Sequence, residues 1–184
     1  MKRVLLTSSG LENKRVEERF LALLGKAPAQ TQALFLPTAA TDAGAISVLP
    51  KCMNDLLNLG VPAENVTVFD LHRALSYREL CAFDLIYVTG GDPAYLLDRI
   101  NDSGFRAPLQ QYVTERGVYL GVSAGSVIAV NNMEDNLGYV NCTLGVHCRV
   151  GTRNGVVDTA SNPHIDLTGN NALLVCGGVT EVIE

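Results

Sequence analysis

Gly117-Val-Tyr-Leu-Gly-Val-Ser123-Ala-Gly-Ser-Val-Ile128 is the stretch whose reading decides the fold. Val118 to Val122 is a short apolar run that predicts a buried strand, and Ala124 to Val130 predicts a helix directly after it. Between them Gly121, Ser123 and Gly125 stand in G-x-S-x-G spacing. A serine on so sharp a strand-to-helix turn is held in a strained backbone conformation, and small neighbours let the chain pass without clashes. The turn lifts the hydroxyl out of the sheet and aims the Ala124 N–H and the helix N-terminus at whatever bonds to it. A glycine-rich turn with an incidental serine would have the same local shape, so the chemistry depends on what surrounds it.

Working outward, the same alternation of strand and helix runs from residue 3 to about 130. Val4–Thr7, Ala33–Leu36, Val66–Phe69 and Leu85–Val88 are apolar runs of strand length. Helices are predicted over Glu12–Leu24, Ala43–Leu59 (interrupted by Pro50), Ser76–Cys81, Ala94–Ile100 and Phe105–Thr114. Ser76 with Glu79 three residues on is a capping box. This order predicts an α/β fold, a three-layer αβα sandwich around a mostly parallel sheet. In such sheets sites form beyond the carboxyl ends of the strands. Ser8-Ser9-Gly10, Gly90-Gly91-Asp92 and Ser123 all fall at such ends. After about 130 the pattern changes: Asn131–Ser161 reads as short strands and loops, and Asn171–Ile183 as a closing hairpin. With no internal repeat or linker, residues 1–184 are expected to form one domain.

Composition narrows the partners. The chain carries a net charge of −5 and no basic tail or stripe, which argues against nucleic acid. The apolar run near the start is too short for a signal peptide and no stretch is long enough to span a bilayer, so a cytoplasmic protein with no membrane partner is expected. Five cysteines without a C-x-x-C predict reduced thiols. Cys142, His147 and Cys148 lie close together, but adjacent His-Cys is poor ligand spacing, so no metal is expected.

A serine hydroxyl needs a base, and the chain offers His72, His147 and His164. His164 follows the stiffening Pro163 in a loop that could fold back over the sheet, and is the expected base; His147 reads as structural. Ala124 N–H and Gly91 N–H are the natural oxyanion donors. The Gly90-Gly91 pair lacks both G-x-G-x-x-G spacing and a P-loop lysine, which disfavours a nucleotide site. For a third, orienting carboxylate, Asp135, Asp158 and Asp166 all remain open.

Gly121-x-Ser123-Ala-Gly125 after a buried strand, Thr89-Gly90-Gly91-Asp92 one unit earlier and Asn162-Pro163-His164 later together resemble the peptidase E family, serine peptidases that include the aspartyl dipeptidases and are related to cyanophycinase. The resemblance covers almost the whole chain. It implies a class I glutamine-amidotransferase-like, flavodoxin-like sandwich, and an exopeptidase that removes N-terminal Asp from dipeptides or short peptides and needs no metal or organic cofactor. Ser123 would be nucleophile and His164 base, with Asp135 the nearest match to an acid after the nucleophile helix. Gly169 stands where the family's other acid would open the last hairpin. An aspartyl substrate calls for a cation, which Arg149 or Arg153 could supply, with Asp92 as a further substrate contact. Two other readings follow from the same residues: a catalytically impaired member that binds a small acidic ligand or a protein, and an α/β-hydrolase-type esterase. A homodimer stays open.

Overall fold

The computed structural model describes residues 2–161 and 163–184. Chain order begins β1 (Arg3–Thr7), α1 (Lys14–Leu24), β2 (Ala33–Leu36), α2 (Ala43–Ser47), α3 (Leu49–Asn58) and β3 (Val66–Val68). It continues α4 (Tyr77–Leu80), β4 (Leu85–Val88), α5 (Pro93–Asp102), α6 (Arg106–Glu115), β5 (Val118–Val122) and α7 (Ala124–Val127). The last part holds only strands among its regular elements: β6 (Thr143–Gly145), β7 (Gly155–Val156), β8 (His164–Asp166), β9 (Ala172–Cys176) and β10 (Val179–Ile183).

Among the described residues, eight strands form one sheet in the order β3-β2-β4-β5-β1-β9-β10-β7. From β3 to β1 the pairings are parallel, and β9, β10 and β7 add antiparallel strands beside β1. The inner strands β2, β4 and β5 are buried throughout because both faces are covered, whereas the edge strand β3 is largely exposed. Leu5, Phe35, Tyr87 and Leu120 face α1 and α3, packing on Val16, Phe20, Cys52 and Leu56. Val4, Leu6, Ile86, Val88 and Tyr119 face the opposite layer, packing on Leu96, Ile100, Leu109 and Tyr112. Burying each such side chain contributes roughly 1.5–3 kcal/mol. The result is the three-layer sandwich expected from the alternation. The parallel strands β6 and β8 form a separate two-stranded ribbon.

Several helix boundaries differ from the periodicity, among them α7, which ends at Val127 rather than Val130, and two of the differences have a clear local reason. The first helix starts after Asn13, whose side chain accepts from Arg15 N and Val16 N, so Glu12 stays in the loop after β1. The segment expected as one helix over Ala43–Leu59 is two, because Pro50 fits the first turn of α3 but not a helix interior. Asp42 caps the short α2. The capping box at Ser76 and Glu79 forms as expected, and it lowers the Glu79 pKa to about 2 through the Ser76 backbone N–H and hydroxyl. No described helix is long and apolar enough to cross a membrane.

Candidate active site

Thr7 at the end of β1 pairs with Val122 at the end of β5, and this pairing carries the site. Ser123 N donates to Thr7 O at 3.0 Å, which ties the turn to the neighbouring strand. Beneath it Ser126 is fully buried: its hydroxyl lies 2.8 Å from both Thr7 O and Gly121 O and accepts from Thr7 N at 3.0 Å. Above this lock Ser123 takes φ 48° and ψ −107°, a conformation that costs a non-glycine residue about 1–3 kcal/mol. The flanking glycines are sterically required. A Cβ on Gly121 would lie 2.6 Å from Gly125 O, and one on Gly125 would lie 2.4 Å from Val88 O. Gly90 passes so close that its Cβ would come within 3.0 Å of Ser123 Cβ, and Gly91 has φ 137° with Ala39 O filling the space of a side chain.

The imidazole that meets Ser123 belongs to His147. Its Nε2 lies 2.9 Å from Ser123 Oγ. The ring is positioned from behind by Ser8, whose buried hydroxyl accepts the His147 backbone N–H at 2.6 Å and lies 3.2 Å from Nδ1. His147 follows the ribbon strand β6 and has φ 58°, a left-handed turn that swings the ring back over the end of β1. The expectation that His164 shares the serine's cleft is therefore corrected. His164 opens β8 in register with Thr143, its Nδ1 is 2.8 Å from Thr143 Oγ1, and its Nε2 is 3.1 Å from Asp166 Oδ1. The i, i+2 spacing places His164 and Asp166 on one side of a strand. Asn162, in the motif that suggested His164, lies outside the described residues.

The other expected site residues divide. Gly91 lines the same cleft as Ser123 and His147. Ala124 opens α7, so its N–H has no acceptor within the helix and is placed just after the serine. Asp135 is not behind either histidine: it is exposed and paired with Arg106 at 2.9 Å and with Asn101, whose hydrogen bond, helped by the arginine, holds its pKa below the usual carboxylate range. Asp92 is the N-cap of α5, accepting from Ala94 N and Tyr95 N, and sits in a depression with Thr38 and Tyr95 rather than in the serine's cleft. Arg149 and Arg153 are exposed and do not line that cleft.

The cleft itself has a volume of ≈ 450 Å³ and is lined by Ser8, Ser9, Glu12, Lys51, Cys52 and by Gly44 and Ala45 of α2, as well as by Gly90, Gly91, Ser123 and His147. Cys52 is its thiol, but burial pushes its pKa up and keeps it protonated. The loop that carries Ser8, Ser9 and Glu12 is pinned by Asp55 of α3, which accepts from Leu11 N at 3.2 Å and from Tyr87 O–H at 2.7 Å. Burial raises the Asp55 pKa, and these hydrogen bonds only partly offset it. A nucleophile poised on a strand-turn-helix, an imidazole in contact with it and backbone N–H groups beside it can together carry out acyl transfer.

The model of peptidase family S51 matches residues 4–171. The chain belongs to this family. Among curated relatives, a peptidase of Pasteurella multocida is 27% identical over 135 residues, 73% of this chain and 63% of its own length. One from Listeria monocytogenes is 27% identical over 138 residues, 73% of this chain and 65% of its own. Both matches span less than two thirds of the relative's length. A crystal structure described as a candidate peptidase E protein from Listeria monocytogenes superposes with a TM-score of 0.79 at 20% identity, covering 100% of this chain and 98% of that one. A peptidase from an acI-B1 Actinobacterium gives 0.68 at 18% identity, covering 100% and 87%. At such identities the likeness establishes the fold: this S51 member has the flavodoxin-like, class I glutamine-amidotransferase-like sandwich.

His147 was the residue that sequence reasoning missed. The signal available was its place two residues after a short strand, 24 residues after Ser123 (147 − 123), with the small Gly145 before it. The Pro-His dipeptide at 163–164 is the more conspicuous local signal, although it belongs to the ribbon strand β8.

Proposed function

We propose that this S51 member is a serine exopeptidase that hydrolyses dipeptides or short peptides beginning with Asp, with His147 rather than His164 as its base. The contact between Ser123 Oγ and His147 Nε2 at 2.9 Å, on a serine held at φ 48°, carries the reading. With Nδ1 protonated and donating to Ser8, Nε2 accepts the Ser123 proton as Oγ attacks the substrate carbonyl carbon. The oxyanion that forms is met by the N–H groups of Ala124 and Gly91. His147 Nε2 then gives its proton to the leaving amine, the C–N bond breaks, and a water activated by the same imidazole hydrolyses the acyl-serine. No metal or organic cofactor enters these steps.

Ser8 gives this reading a distinctive chemical feature. A neutral hydroxyl orients the ring but does not stabilise an imidazolium as a carboxylate does. This supports a second reading, in which the cleft binds its ligand and turns it over slowly or not at all. Turnover of an Asp-anilide that is abolished in Ser123→Ala and His147→Ala but kept in His164→Ala supports the peptidase. Absence of fluorophosphonate labelling at Ser123 in the folded protein, with no turnover of any Asp peptide, supports the binding module. Preference for simple esters over peptides would favour an esterase instead.

A further inference from the structure

The cleft contains one feature that the serine and histidine do not use. Of the described residues that line it, only Glu12 and Lys51 carry full charges, and they face each other with Lys51 Nζ 2.9 Å from Glu12 Oε1. Both side chains remain about two-fifths exposed, 42% and 43%. An ion pair so open contributes little to stability, and its partners are free to exchange for a ligand's charges. The pair nevertheless sits on a prepared frame. Lys51 also donates to the Ser9 carbonyl, and Asp55, one turn further along α3, holds Leu11 N immediately before Glu12. One helix thus supplies the cation and fixes the loop that presents the anion. Both boundary features described above are needed: Asn13 as cap leaves Glu12 outside α1, and the break before Pro50 starts a new helix whose first turn carries Lys51.

We infer that Glu12 and Lys51 form the specificity clamp of the cleft, Glu12 taking the free α-ammonium of the substrate and Lys51 the β-carboxylate of an N-terminal Asp. This rests on the peptidase reading for the position of the scissile bond but not for the binding itself. The chemistry follows from complementarity. A cleft with one fixed anion and one fixed cation side by side favours a ligand with an ammonium and a carboxylate equally close together, and the first residue of an Asp peptide has these groups on adjacent carbons. On binding, the single protein ion pair is replaced by two protein–ligand pairs of charge-assisted hydrogen bonds. Requirement for a free ammonium makes the enzyme an exopeptidase, and a cation on a flexible stem discriminates Asp from Asn by charge. Lys51 thereby takes the place expected for Arg149 or Arg153.

The test is calorimetric titration of Asp-Leu, N-acetyl-Asp-Leu and Asn-Leu into the Ser123→Ala protein and into the same protein carrying Glu12→Gln or Lys51→Met, with thermal unfolding to show that each variant is folded. Asp-Leu is expected to bind the parent, and each substitution to weaken it by about 10-fold or more. N-acetylation should weaken binding to the parent but not further weaken it in Glu12→Gln, and Asn-Leu should bind the parent and Lys51→Met alike. Absence of Asp-Leu binding to the parent, or affinities indifferent to both substitutions, would overturn the clamp. The peptidase reading is judged separately by turnover with Ser123 intact. If that protein cleaves Asp peptides with the same preference in all three backgrounds, the clamp fails and the peptidase stands. If it cleaves none while the titrations behave as expected, the clamp stands and the peptidase fails.

Discussion

The parallel half of the sheet and the segment from Asn131 to Asn171 contribute to the same cleft by different means. In the first, Ser123, Gly91 and Ser8 each follow the carboxyl end of a buried strand, and close packing leaves no room for a side chain at Gly91, Gly121 or Gly125. In the second, His147 and His164 hang on a two-stranded ribbon outside the main sheet, positioned by turns and hydrogen bonds. Placement of Ser123 is therefore over-determined by the core. Placement of the His147 ring depends on a left-handed residue, one buried serine and the register of Thr143 against His164.

The sharpest way to break this comparison is to exchange the roles of the two histidines. Ser123→Ala and His147→Ala should each lower kcat/KM toward an Asp-anilide by about 10⁴-fold or more, whereas His164→Ala should leave it within about 3-fold. Equal losses at 147 and 164 would mean that the ribbon is organised differently during turnover. Next in size is packing in the parallel half. Gly125→Ala drives a Cβ against Val88 O and should destabilise by about 1–3 kcal/mol, read as a lowered unfolding midpoint. A smaller effect is expected behind the base: Ser8→Ala removes the partner of His147 Nδ1 and should lower kcat about 10-fold with KM little changed.

The smallest effects concern two acids in contrasting settings. Asp55 is buried under the cleft loop and its folded pKa is raised, so the folded state holds its proton to higher pH than the unfolded chain does. Its contribution is most favourable below the ordinary value of 3.8 and is lost as pH rises through the raised pKa. Asp55→Asn, which can still accept from Tyr87 and Leu11, should flatten that slope in denaturant titrations on either side of the window. Asp135 has the opposite sign: its pKa is lowered, so its contribution is present above 3.8 and fades as pH falls. Because its side chain is 55% exposed, Asp135→Asn should cost less than about 1 kcal/mol and leave activity unchanged.

Legibility in the sequence follows the same division. Strands Val4–Thr7, Leu85–Val88 and Val118–Val122 were readable because burial on both faces imposes unbroken apolar runs. Ser123 and its glycines were readable because the G-x-S-x-G spacing falls within five residues, although Gly125 also has to clear Val88 O of β4. Glu12 and Lys51 were invisible as a site because each reads as an ordinary helix residue. Only the cap at Asn13 and the start of α3 at Leu49 bring them face to face. Between Asp158 and Asp166 no periodicity separates one loop acid from another. Asp166 proves to pair with His164 and Cys148, and Asp158 with Ser161.

Amino-acid order alone determined the layered α/β architecture, the serine turn and the glycines flanking it, since apolar periodicity and the spacing of small residues act over a few neighbouring positions. Tertiary structure alone decided which imidazole reaches that serine, what stands behind it and which charges line the cleft. Those contacts join residues 8, 12, 51, 123 and 147, and the free energy that selects them comes from packing and hydrogen bonds between distant segments.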